Sequence, residues 1–195
     1  MNRRVVLATR NEGKVREMQV LFASLDWELV SQSSLKIPSA PESGETFIEN
    51  ALGKARHVSA ISGLPALADD SGLVVEALGG APGIFSARYA GPLATDQENN
   101  KKLLAELHGA SDRRAHFYCA LVFLQHATHP APTLSTGRWS GRIGDLPAGD
   151  QGFGYDPLFI PDGDVLTAAQ LPAHIKNDRS HRGLAARALL ALLES

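Results

Sequence analysis

Residues 115–124 are apolar on both alternating faces, with Phe117, Cys119, Leu121 and Phe123 on one side and Tyr118, Ala120, Val122 and Leu124 on the other. Successive side chains of a strand point to opposite faces, so this run reads as a central strand that must be covered above and below. Helices are the natural cover, and the pattern supplies them. Val15, Met18 and Phe22 recur at helical spacing after a short strand expected at 5–8. Thr46-Phe47-Ile48-Glu49 has capping-box spacing and opens an apolar face of Ile48, Ala51, Leu52 and Ala55. Thr95-Asp96-Gln97-Glu98 repeats the box ahead of Leu103, Leu104 and Leu107, and a last helix opens at Ser180 and carries Ala185, Ala188, Leu189 and Leu192. Strands are expected at 27–30, 66–69 and 73–77, and residues 133–143 read as an antiparallel partner of the central run. This order predicts an α/β fold layered around a mixed sheet, in a single domain spanning 1–195.

Composition removes several function classes. Nineteen basic against 21 acidic residues give a net charge of −2, so no nucleic-acid surface is advertised. The single cysteine, Cys119, excludes an internal disulfide and a cysteine-rich metal site. The apolar run within residues 1–9 is too short for a signal peptide and no segment is long enough to span a bilayer, so a cytoplasmic protein without a membrane partner is expected.

The chemistry is announced by Asp69-Asp70-Ser71-Gly72, two adjacent acids where an apolar strand meets a Ser-Gly pair expected to turn. Unpaired buried charge costs several kcal/mol, about 3–5 when a buried pair is broken, so these acids need a cation, a basic partner or turn hydrogen bonds. Strand alternation sends the two aspartates to opposite faces, one toward a site and one as a brace. Residues 9–14 (Thr9, Arg10, Asn11, Glu12, Gly13, Lys14) form a strand-to-helix turn whose free N–H groups and lysine suit an anion. Ala8 and Val15 stand where a P-loop needs glycine and Ser or Thr, so it is not a Walker motif, and Asn11 also reads as an ordinary N-cap. Glu42 or Glu45, with Asp70, has the oxygen chemistry for Mg²⁺, or else is a solvated loop acid. Asn50 and Lys54 share a helical face that could reach the same cleft. Phe153 between Gly152 and Gly154 offers a platform for a flat base, or a plug in a tight turn. Lys176 and Ser180-His181-Arg182 place cations at a helix start, where the dipole disfavours them unless an anionic or carbonyl-bearing ligand answers.

The segments LATRNEGK, SGETFIENA, ALADDSGL, GGAPGIFSARYAG, GFGYDPLF and SHRGLAARAL, in that order, closely resemble the inosine/xanthosine triphosphate pyrophosphatase family over nearly the whole chain. The resemblance implies an elongated mixed central sheet with flanking helices, two lobes enclosing a nucleotide cleft, and a homodimer. It implies hydrolysis of dITP/ITP and XTP/dXTP to the monophosphate and pyrophosphate, which cleanses the nucleotide pool before DNA or RNA synthesis. Residues 9–14 would line the triphosphate pocket, with Asn11 and Lys14 on phosphate. Asp70 would be general base and Mg²⁺ ligand with Glu42, and Ser71 would touch the nucleotide. Phe153 would stack on the base, completed by Gly154, Tyr155 and Asp156. Lys176, His181 and Arg182 would bind the nucleotide, His181 and Arg182 at the 6-oxo edge. Arg10 departs from the small residue usual there. The alternatives are a pyrophosphatase for modified pyrimidine nucleotides and a non-catalytic nucleotide-binding regulator.

Overall fold

The computed structural model describes residues 3–194; residues 1, 2 and 195, the extremities of the expected domain, lie outside the described residues. The strands are β1 (Arg3–Leu7), β2 (Trp27–Ser31), β3 (Ala66–Val75), β4 (Arg114–Leu124), β5 (Thr133–Ile143) and β6 (Phe159–Pro161). The helices are α1 (Glu12–Leu21), α2 (Phe47–Ser62), α3 (Asp96–Glu106), α4 (Ala173–Arg179) and α5 (His181–Leu193). The strands form one six-stranded sheet in the order β2-β1-β3-β4-β5-β6. β1 pairs parallel with β2 and β3, and β5 pairs antiparallel with β6, so the sheet is mixed as expected.

The chain divides into two compact units. One holds the described residues up to Asp70, Cys119–Gly137 and those from Arg182 on; the other holds Ser71–Tyr118 and Arg138–His181. The core of the first unit is Val5, Leu7, Met18, Phe22, Leu67, Cys119, Leu121 and Leu189. In the second, Leu73, Leu103, Leu107, Phe117, Trp139 and Phe159 pack together. β4 is buried without interruption from Cys119 to Leu124, which is why both its faces read as apolar.

Both capping boxes form. Thr46 and Glu49 exchange side-chain and backbone hydrogen bonds at the start of α2, and Thr95 and Glu98 do so at the start of α3. Three local expectations change. Ser71-Gly72 is not a turn: β3 runs through it unbroken beside its neighbour β4, and strand pairing overrides a local Ser-Gly preference. Ile48 is 37% exposed, since α2 turns Asn50, Ala51, Ala55, Val58 and Ser59 inward instead. On α5, Ala186 is buried while Ala188 and Leu192 are exposed.

Candidate active site

In the first unit, β1 delivers the chain to α1 through a turn at residues 8–11. The Asn11 side chain caps α1 by accepting from the Lys14 backbone N–H at 3.1 Å, and the Asn11 N–H donates to Thr9 Oγ1 at 3.2 Å. Arg10, Asn11 and Glu12 are exposed, and Lys14 leans inward to place Nζ 2.9 Å from Asp69 Oδ2. The same oxygen accepts from Arg182 Nη2 at 3.2 Å and Nε at 3.4 Å, while Arg182 Nη1 donates to Glu17 Oε2 at 2.5 Å. Asp69 is 1% and Arg182 2% exposed. Burial alone would raise the Asp69 carboxyl, but Lys14 and Arg182 outweigh it and hold the group well below the usual carboxylate range. Asp69 is therefore the brace: an ionised counter-charge that fixes the first turn of α1 to the start of α5. The cation conflict expected at the start of α5 is answered inside the protein, by Asp69 and Glu17.

Asp70 meets a different partner. Lys54, two turns into α2, sets its Nζ 2.6 Å from Asp70 Oδ1 and 2.6 Å from Glu42 Oε1. Two carboxylates thus converge on one cationic point, and Glu42, not Glu45, is the loop acid that reaches it. Asp70 Oδ2 is buried without a hydrogen-bond partner. Burial pushes the Asp70 carboxyl up, with Lys54 opposing, whereas Lys54 is itself held above its ordinary value because its two acids outweigh its burial. Asp70 thus combines an open carboxylate oxygen with a raised basicity. Cys119 offers no competing nucleophile, since burial pushes its thiol up to about 12.

The second unit holds the aromatic loop. Gly152 and Gly154 both adopt positive φ, at 80° and 63°, and bracket Phe153, whose ring is partly exposed. A Cβ at Gly152 would collide with the Asp156 carboxylate. Asp156 Oδ2 accepts from the Phe153 N–H at 2.9 Å and from Lys176 Nζ at 2.7 Å, and Lys176 Nζ lies 5.1 Å from the Phe153 ring centroid. Tyr155 is buried and donates its hydroxyl to the Ser86 carbonyl at 2.9 Å. His181 is buried, its ring stacked on Phe117 with centroids 4.8 Å apart. Ser71 is half-buried in β3.

The expected residues therefore gather as two groups: Lys14, Glu42, Asp70 and Arg182 in one unit, and Phe153, Asp156, Lys176 and His181 in the other. A model of the Ham1 family matches residues 5–192. The chain belongs to the Ham1 family. It is 51% identical to a dITP/XTP pyrophosphatase of Methylococcus capsulatus over all of this chain and 98% of that protein. It is 54% identical to a dITP/XTP pyrophosphatase of Halorhodospira halophila, over 96% and 95% of the two chains. Among solved structures, a HAM1 protein from Coxiella burnetii superimposes with a TM-score of 0.91 at 45% identity, covering 99% of this chain and 100% of that one. The mixed α/β sheet is thus the Ham1 fold.

Several residues that brace the candidate site carried little signal in the sequence. Glu17 escaped notice, although its place three residues after Lys14 puts both on one face of α1. Asp96 and Asn100, which hold Gly154, carried no local signal beyond their place at a helix start. Lys54 was legible, with Asn50, as a helical face able to reach the cleft, but its partners Glu42 and Asp70 were not.

Proposed function

We propose that this chain hydrolyses non-standard purine nucleoside triphosphates, dITP/ITP and XTP/dXTP, to the monophosphate and pyrophosphate, and so keeps them out of DNA and RNA. The observation that carries this reading is the convergence of Glu42 and Asp70 on one cationic point, in a chain about half identical over its whole length to proteins named for that reaction.

The donor set fits Mg²⁺: two carboxylates that share a cation position, one with a buried oxygen to spare, and phosphate to complete the oxygen shell. Glu42 and Asp70 would hold it. When bound, the ion offsets negative charge on the triphosphate. Asp70 Oδ2, buried and without a partner in the structure, takes the proton of the attacking water. Lys14, the backbone N–H groups of Arg10, Glu12 and Gly13, and Lys54 bind phosphate oxygens. Phe153 stacks on the base, and Gly154, Tyr155, Asp156 and Ser71 shape its surroundings. Lys176 and His181 address the nucleotide with donors that a 6-oxo group satisfies; a 6-amino group would leave them unpaired. Arg182 supports recognition through its grip on Asp69 and Glu17. The chain acts as a homodimer in the cytoplasm; among the described residues no helix is long and apolar enough to cross a membrane.

A panel of ITP, XTP, dITP, ATP, GTP and pyrimidine triphosphates with Mg²⁺, with product analysis, tests the reading. Preferred turnover of the 6-oxo purines dITP and XTP, with release of pyrophosphate, is expected. Orthophosphate as the first product, or preference for a pyrimidine triphosphate, overturns it. Light scattering in solution checks the dimer.

A further inference from the structure

We propose that Asp96 and Asn100 of α3 are positioning residues that hold the Phe153 platform in place for the base, an inference that rests on the nucleotide reading above. Two positive-φ glycines around one aromatic would ordinarily leave its ring free to swing. Upstream, Asp156 restrains the loop by accepting from the Phe153 N–H. Downstream, α3 grips the next residue on both its polar groups. The Gly154 N–H donates to Asp96 Oδ2 at 2.7 Å, and Asn100 Nδ2 donates to the Gly154 carbonyl at 2.9 Å.

Asp96 and Asn100 are four residues apart, on one helical face, so a single rigid surface presents an acceptor and a donor to one residue. α3 is suited to this work. Its first turn is locked by the Thr95–Glu98 box, and Leu103 and Leu107 anchor its far end in the core. A Cβ added to Gly154 would meet no atom within 4 Å, so on that side the residue faces open space and its backbone groups give α3 its hold. Asn100 also keeps a buried Oδ1 without a hydrogen-bond partner. An apolar side chain would avoid that penalty, which leaves the donor half of the amide as the reason for asparagine here.

Steady-state kinetics with dITP and Mg²⁺ on the full chain and on D96A, D96N, N100A and N100D tests this. Losing either contact is expected to raise KM by about tenfold, the size of one charge-assisted or buried hydrogen bond. The turnover number should stay within about twofold, since the carboxylates that act on water are untouched. D96N, whose amide oxygen still accepts, should restore most of the affinity. N100D should fail like N100A, because a carboxylate cannot donate and faces the Gly154 carbonyl. That asymmetry between two isosteric changes would not arise from a merely structural role, which lowers the melting temperature and the active fraction without moving KM. Unchanged KM in D96A and N100A, or equal behaviour of D96N and N100D, overturns the inference. If either alanine variant fails to fold, the D96N and N100D pair decides. Wild-type protein that leaves dITP intact would overturn the proposed function instead.

Discussion

α2 and α3 begin with the same five-residue pattern, Thr46-Phe47-Ile48-Glu49-Asn50 and Thr95-Asp96-Gln97-Glu98-Asn99, one in each unit. Both boxes close, and both asparagines are buried, 4% and 2% exposed. Each grips the backbone of a preceding loop. Asn50 accepts from the Gly44 N–H at 2.9 Å and donates to the Gly44 carbonyl at 3.4 Å; Asn99 accepts from the Ala90 N–H at 2.8 Å and donates to the Ala87 carbonyl at 3.3 Å. The local device is shared, but its cargo differs. The loop held by Asn50 carries Glu42, while the one held by Asn99 carries no candidate site residue. One turn on, α2 sends Lys54 to two carboxylates, whereas the first turns of α3 send Asp96 and Asn100 to a glycine of the aromatic loop. A single way of starting a helix has thus been fitted to charge in one unit and to a flat ring in the other.

The sharpest test separates those two cargoes. Asp70→Asn should lower the turnover number by about 10²–10⁴, the contribution of a positioned general base, with little change in the affinity measured by nucleotide titration. Phe153→Ala should do the reverse, raising KM by roughly tenfold to a hundredfold as stacking is lost, with a smaller effect on turnover. If both variants lost turnover alone, the division of labour between the two groups would be wrong.

The paired asparagines give the next largest effect. Replacing either by alanine strands a backbone N–H and C=O, so Asn50→Ala and Asn99→Ala should each lose about 1–3 kcal/mol of stability in urea unfolding. Only Asn50→Ala should also weaken activity, because its loop presents Glu42. Gly44 leaves that loop no slack, since a Cβ there would stand 2.7 Å from the Glu49 Cβ. Equal loss of activity in the two variants would show that the loop at 87–90 has a part in the reaction.

What was legible in the chain is what local physics controls. The two-faced apolar run at 115–124 demanded a covered central strand, both Thr-x-x-Glu pairs specified helix starts, and Asn11 sits as the N-cap its position suggested. The splitting of Asp69 from Asp70 followed from strand alternation alone. Partners distant in sequence were not legible. Arg182 reaches Asp69 across 113 residues and Asp96 reaches Gly154 across 58, and no spacing rule connects such positions. The Ser71-Gly72 expectation failed for the same reason: sheet neighbours, not the dipeptide, decide the backbone there.

The smallest effect compares the two capping acids. Glu49 Oε2 accepts from the Glu45 N–H, the Thr46 N–H and the Thr46 hydroxyl, each at 2.9 Å. Among the described residues, Glu98 Oε2 accepts from the Thr95 N–H at 2.7 Å and the Thr95 hydroxyl at 2.9 Å alone. The Thr46 hydroxyl and the Glu45 and Thr46 N–H groups hold the Glu49 carboxyl below its ordinary value; the Thr95 N–H and hydroxyl do the same for Glu98. A carboxyl depressed in the folded chain contributes stability that is fully present above its unfolded value, near 4.5. That contribution fades as pH falls through the folded value. Both helix starts should therefore weaken on acidification below the usual glutamate range. Glutamine still closes the box but does not titrate, so Glu49→Gln and Glu98→Gln should each flatten part of the acid limb in urea unfolding followed against pH. With its third donor, Glu49→Gln should flatten more of it. Equal slopes would mean that the extra bond from Glu45 adds nothing, and that the two helix starts are energetically the same device.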